Sequence, residues 1–151
     1  MKLAEALIIR ADLQKKIAQS KNRMLLNAKI QDGDEVAEPI AQLFSEFNKA
    51  SSALESLIKQ INKTNASVPY RDGKIIDAIV ERDCLSAKIK AYRELYEAAI
   101  VEREIFTRTE IKYIRCVDLS ELQKKISSLS KEYRECDIKL QEANWHTDLA
   151  D

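Results

Sequence analysis

The chain contains two glycines and two prolines, and all four fall in two short windows, Gly33 with Pro39 and Pro69 with Gly73. These residues are the strongest local breakers of regular structure. Their confinement marks two loops and leaves the rest of the sequence free to run as long elements. Ala, Leu, Glu, Lys and Arg supply nearly half of the 151 residues, which is the composition of long helices or coiled coil.

The apolar spacing agrees. From Lys2 to Ile30, Leu3, Ala6, Leu13, Ile17 and Met24 fall on one helical stripe, Leu7 and Leu25 widen it, and Arg10 sits in the same seam. A second helix follows Pro39, a residue tolerated at a helix start because its missing N–H would have no partner there. Its seam of Ile40, Leu43, Phe47, Ala50, Leu54, Leu57 and Ile61 alternates steps of three and four. Val68 to Gly73 reads as a turn, with Asp-Gly expected to take the positive dihedral. A third helix spans roughly Lys74 to Arg103, with Ile75, Ile79, Leu85, Ile89, Tyr92, Tyr96 and Ala99 inward. Asp118 with Glu121 forms a capping-box-like start for a fourth. Its seam runs through Leu119, Leu122, Ile126, Leu129, Tyr133, Cys136, Leu140 and Ala143. Helices of about 25 to 30 residues joined by short loops make antiparallel neighbours. The expected fold is therefore all-α: a single domain over residues 1–151, built as an elongated up-down antiparallel bundle of four long helices.

One stretch departs from this pattern. Ile105 to Val117 is mostly β-branched or aromatic and contains neither Ala nor Leu, a composition suited to a pleated, half-buried strand. It is expected to be a short extended segment between the third and fourth helices. A lone strand leaves its backbone groups unpaired, so it needs either the turn region near Ser67 to Arg71 or another subunit. Ile111, Tyr113 and Arg115, which share one strand face, are the candidate packing or assembly residues. Arg108, Lys112 and Arg115 beside Tyr113 are too few to indicate a nucleic-acid surface.

Several function classes are disfavoured. The 25 basic and 25 acidic residues give zero net charge, which removes the broad attraction to phosphate on which nucleic-acid binders depend. Cys84, Cys116 and Cys136 form no CxxC pair, so neither a disulfide framework nor a thiolate zinc site is suggested, and reduced thiols in a cytoplasmic protein are expected. The N-terminus lacks the continuous apolar core of a signal peptide, and no long uncharged apolar run suggests a membrane span. A single histidine, His146, excludes the paired Glu-x-x-His motifs of di-iron bundles. No cofactor, metal, nucleic-acid or membrane partner is expected, and no catalytic constellation is recognisable.

Charges on or beside the seams are the remaining candidates: Arg10, Glu81, Arg82, Asp83 and Arg93. Such charges are costly unless paired. They read either as ion pairs that fix helix register or as a polar pocket for a small anionic ligand.

The segments KLAEALIIRADLQKKI, INKTN, TEIKYIRCVDL and QEANWHTDL, in that order and spacing, resemble the septicolysin-like family of small bacterial proteins over essentially the whole chain. The resemblance implies an all-helical bacterial protein, and the family name implies a cytolysin. It carries no catalytic residue to any position here. With heptad seams long enough to specify partners, the leading expectation is a non-enzymatic protein that self-associates as a homo-oligomer. A membrane-active cytolysin and a binder of a small anion are the alternatives.

Overall fold

The computed structural model describes residues 1–100 and 113–151. Among these the chain is all-α, with four helices: α1 (Leu3–Leu26), α2 (Ile40–Ser67), α3 (Ile75–Ile100) and α4 (Leu119–His146). A two-residue pair of strands, β1 (Pro69–Tyr70) and β2 (Gly73–Lys74), joins α2 to α3. The chain groups into two compact units, Met1–Lys74 with Gln141–Asp151, and Ile75–Leu140.

In the first unit α1 and α2 are antiparallel. Leu43, Leu57, Ile61, Leu3 and Ala6 are buried, as their seam spacing requires. Helix α1 begins where the Glu5 carboxylate accepts the Lys2 backbone N–H at 2.7 Å, which satisfies an orphan donor at the helix head. It ends at Leu26, four residues before the expected Ile30. The cause is Asn27, whose amide donates to the Arg23 carbonyl at 2.9 Å and accepts the Glu38 N–H at 3.2 Å. Such local side-chain bonds compete with helix continuation. Leu25, expected to widen the apolar stripe, is 64% exposed because the helix stops one residue later.

Arg23 then ties the connecting loop to α2. Its Nη1 lies 2.8 Å from Glu46, and its Nε and Nη2 both bond Glu38. Hydrogen bonding to Glu38 and then Glu46 makes Arg23 more basic than usual, and the same contact holds the Glu38 carboxyl below its ordinary range.

At its other end the first unit is closed by the C-terminal residues. Leu3 donates its N–H to Thr147 O at 2.9 Å and Leu149 donates to Met1 O at 2.9 Å. Lys2 pairs with Asp148 at 2.8 Å. Ala150 donates its N–H to Thr64 Oγ1 at 2.9 Å, and Thr64 in turn donates to Gln60 O at 2.8 Å.

The turn after α2 differs from expectation in one respect. Tyr70 pairs with Gly73, so the two loop residues are Arg71 and Asp72, and the positive dihedral falls on Arg71 (φ 51°). A two-residue hairpin loop needs its positive φ at the first or at both central positions, and here that position is Arg71 instead of Gly73.

In the second unit, Arg82 of α3 bonds Asp137 of α4 at 3.2 Å, and Tyr96 of α3 accepts from Gln123 of α4 at 3.3 Å, so these helices are also antiparallel. Ile75, Ala78 and Ile89 of α3 are buried, as are Leu122, Cys136 and Leu140 of α4. The fourth helix starts as expected: Asp118 Oδ1 accepts the Glu121 N–H at 3.1 Å. Of the segment expected to be extended, residues 105–112 lie outside the described residues. Its remainder is non-helical, and Tyr113 to Val117 forms no strand pair among the described residues. The turn region proposed as its partner pairs with its own return strand.

Candidate functional site

Helix α3 is apolar on two sides. Its inner side carries Ile75, Ala78 and Ile89, which are buried, with Leu85, Tyr92 and Tyr96 half-buried. On the opposite side, Ile76, Val80, Cys84, Ala87, Ala91 and Leu95 recur at steps of four and three and are all exposed. Ile76, Val80 and Leu95 are 39%, 54% and 43% exposed. A surface helix ordinarily shows charge on the face away from its core. This second stripe is present in the sequence at Ile76, Val80 and Leu95, but the inner seam by itself already satisfies the amphipathic pattern of a helix.

Within the second unit the charged candidates of α3 do not form one cluster. Arg82 is the best anchored: Asp83 lies 2.8 Å and Asp137 3.2 Å from its guanidinium. Partial burial opposes the charge, but bonding to Asp83 and Asp137 outweighs it, and Arg82 is held more basic than usual. Asp137, the partner across the helix pair, was missed because it sits one place beyond the α4 seam. Glu81 and Asp83 lie exposed on α3. Arg93 stands eleven residues further along α3, roughly 16 Å at 1.5 Å per residue, too far to share a pocket with Arg82. It lines a shallow groove of about 550 Å³ with Lys90, Ser130, Tyr133 and Arg134. Ser130 Oγ is buried without a hydrogen-bond partner among the described residues. Arg10 belongs to the first unit, where it is half-buried, and its Nε likewise has no hydrogen-bond partner among those residues.

Of the three residues assigned to packing or assembly, Ile111 lies outside the described residues. Tyr113 is 70% exposed. Arg115 donates its Nε–H to the Ala99 carbonyl at 3.0 Å, capping a late carbonyl of α3. Among the described residues no group of three or more His, Cys, Asp or Glu could hold a metal ion. No described helix is long and apolar enough to cross a membrane.

These features define a small all-α protein whose most distinctive surface is the outer side of α3. Residues 10–149 match the model of a family of unknown function, DUF6847, and the chain belongs to that family. It is also similar to the crystal structure of a functionally unknown conserved protein from Corynebacterium diphtheriae, at 32% identity, with 99% of each chain covered and a TM-score of 0.89. No curated protein matches the chain.

Proposed function

We propose that this chain is a non-enzymatic, cytoplasmic helical protein that works by associating with further copies of itself. The observation that carries the reading is the exposed apolar stripe from Ile76 to Leu95 on a helix whose other side is already buried. Apolar surface contributes about 25 cal/mol per Å² when removed from water, so a helix that is apolar on both sides is best accommodated between two layers. The free thiols of Cys84, Cys116 and Cys136 support a reducing compartment.

Sedimentation equilibrium at micromolar concentration is the test. A concentration-dependent oligomer is expected, and a strict monomer overturns the reading. Release of dye from liposomes by the purified protein would instead favour the lytic role implied by a septicolysin-like relationship.

The groove lined by Lys90, Arg93 and Arg134 supports a second reading, binding of a small anion: Glu94 and Glu97 line it too and Lys90 stands 3.8 Å from Glu94, which leaves Arg93, Arg134 and the unpartnered Ser130 hydroxyl as the groups to receive the anion. Calorimetric titration with inorganic phosphate tests it. Binding that is lost in Arg93→Gln supports it, and no measurable heat removes it.

A further inference from the structure

The outer stripe of α3 is self-complementary. Its intervals, from Ile76 through Val80, Cys84, Ala87 and Ala91 to Leu95, are 4, 4, 3, 4 and 4 residues and read the same in either direction. When two such helices are laid antiparallel about a two-fold axis between Cys84 and Ala87, every stripe residue meets a stripe residue. Ile76 falls opposite Leu95, Val80 opposite Ala91, and Cys84 opposite Ala87. The small side chains lie at the centre, where they allow the axes to approach to the short end of the roughly 8–10 Å range for packed helices. The large ones lie toward the ends, where they fill the space left as the helices diverge.

The flanks obey the same symmetry. Glu81 and Lys88 are seven residues apart, two helical turns, and so lie on one side of the stripe; Asp83 and Lys90 have the same spacing and lie on the other. A two-fold axis perpendicular to both helices keeps each flank on its own side while reversing its direction. Glu81 therefore comes to stand against Lys88 of a second copy, and Asp83 against Lys90, with both pairs repeated by the symmetry. All four residues are exposed in the single chain. Asp83 also bonds Arg82, and Lys90 stands 3.8 Å from Glu94. The Lys90–Glu94 pair is exposed on both sides and so is weakly held and readily shared with a new partner, while Asp83 bonds Arg82 through Oδ1.

Resting on the self-association reading, we infer that the partner is a second copy of this chain, docked antiparallel through α3 with the two-fold axis between Cys84 and Ala87. An isologous contact of this form is closed and stops at two copies.

The experiment compares the full-length protein with three variants by sedimentation equilibrium. Glu81→Lys turns two attractive contacts into repulsive ones and is expected to weaken the dimer about tenfold. The double variant Glu81→Lys/Lys88→Glu is expected to recover the original affinity. Ala87→Glu places a carboxylate at the axis and is expected to abolish the dimer while leaving the far-ultraviolet circular dichroism of the monomer unchanged, because Ala87 is exposed. Orientation is read separately, from paired spin labels at Glu94→Cys in a Cys84→Ser/Cys116→Ser background. The antiparallel arrangement separates them by about 26 Å along the helix axes. A dimer that ignores the charge exchanges, or labels held close together, overturns this inference and leaves self-association standing. A protein that is monomeric throughout overturns both.

Discussion

Thr64 has no exposed surface, yet it is polar and lies at the end of an apolar seam. Its hydroxyl is used twice, as donor to Gln60 O and as acceptor for the Ala150 N–H. Replacement by Val keeps the shape and β-branching but leaves the half-buried Ala150 N–H without its partner. The expected loss is about 1–3 kcal/mol. It should be seen as a lower midpoint in urea and as faster amide exchange at Leu149 and Ala150 than at residues within α3. Periodicity could not have found Thr64, because a polar residue on a seam reads as a break unless the distant segment that bonds it is known. Ser20 and Asn144 are buried polar residues that periodicity likewise passes over. Apolar seam residues were legible for the opposite reason: Leu43, Ile61, Ile75 and Leu140 are buried by virtue of their spacing alone.

At the scale of elements, start signals carried more information than stop signals. The head of α4 was readable because its cap is local: Asp118 and Glu121 are three residues apart and bond directly. Asp118→Ala removes that acceptor and is expected to destabilise the protein by about 1 kcal/mol, measurable as a lowered thermal midpoint with helix content unchanged at low temperature. The end of α1 was misplaced because Asn27 takes its decisive partner, the Glu38 N–H, from across the loop. A turn was expected at this place, but it is the loop of a two-residue strand pair, and its positive φ is set by the Tyr70 and Gly73 pairing and not by glycine's own freedom. The five charged candidates illustrate the same limit. Arg82 was singled out as a charge near a seam, and its bond to Asp137 supplies the pairing that such a charge requires. Arg93 and Arg82 looked related in the sequence, but eleven residues of helix keep them apart.

For the molecule as a whole, two contacts that close the first unit depend on carboxylates. Arg23 holds Glu38 below its ordinary range, and a hydrogen bond from Lys2 followed by its charge does the same for Asp148. A carboxyl group whose pKa falls on folding binds protons more weakly folded than unfolded. Its stabilising contribution is therefore complete above the unfolded values, about 4.3 for Glu and 3.9 for Asp, and is lost as the pH drops through the folded values. The thermal midpoint should decline on acidification below roughly pH 4.5. Glu38→Gln/Asp148→Asn should be less stable than the parent at neutral pH and show a shallower decline between about pH 5 and 3. Equal slopes for the two proteins would place the acid sensitivity elsewhere.

The Asp148 contact belongs to the closure made by Thr147 to Asp151 against the first turn of α1 and the end of α2, and that closure orders events in time. Lys2 and His146 are 144 positions apart yet bonded. On a ribosome adding about 5–20 residues per second, the α1–α2 hairpin is complete on the order of ten seconds before the residues that seal it are made. Throughout that interval Thr64 and the backbone of Leu3 face water without their final partners, so the newly made hairpin depends on its Leu43, Leu57 and Ile61 seam and on the Arg23 contacts at its loop end.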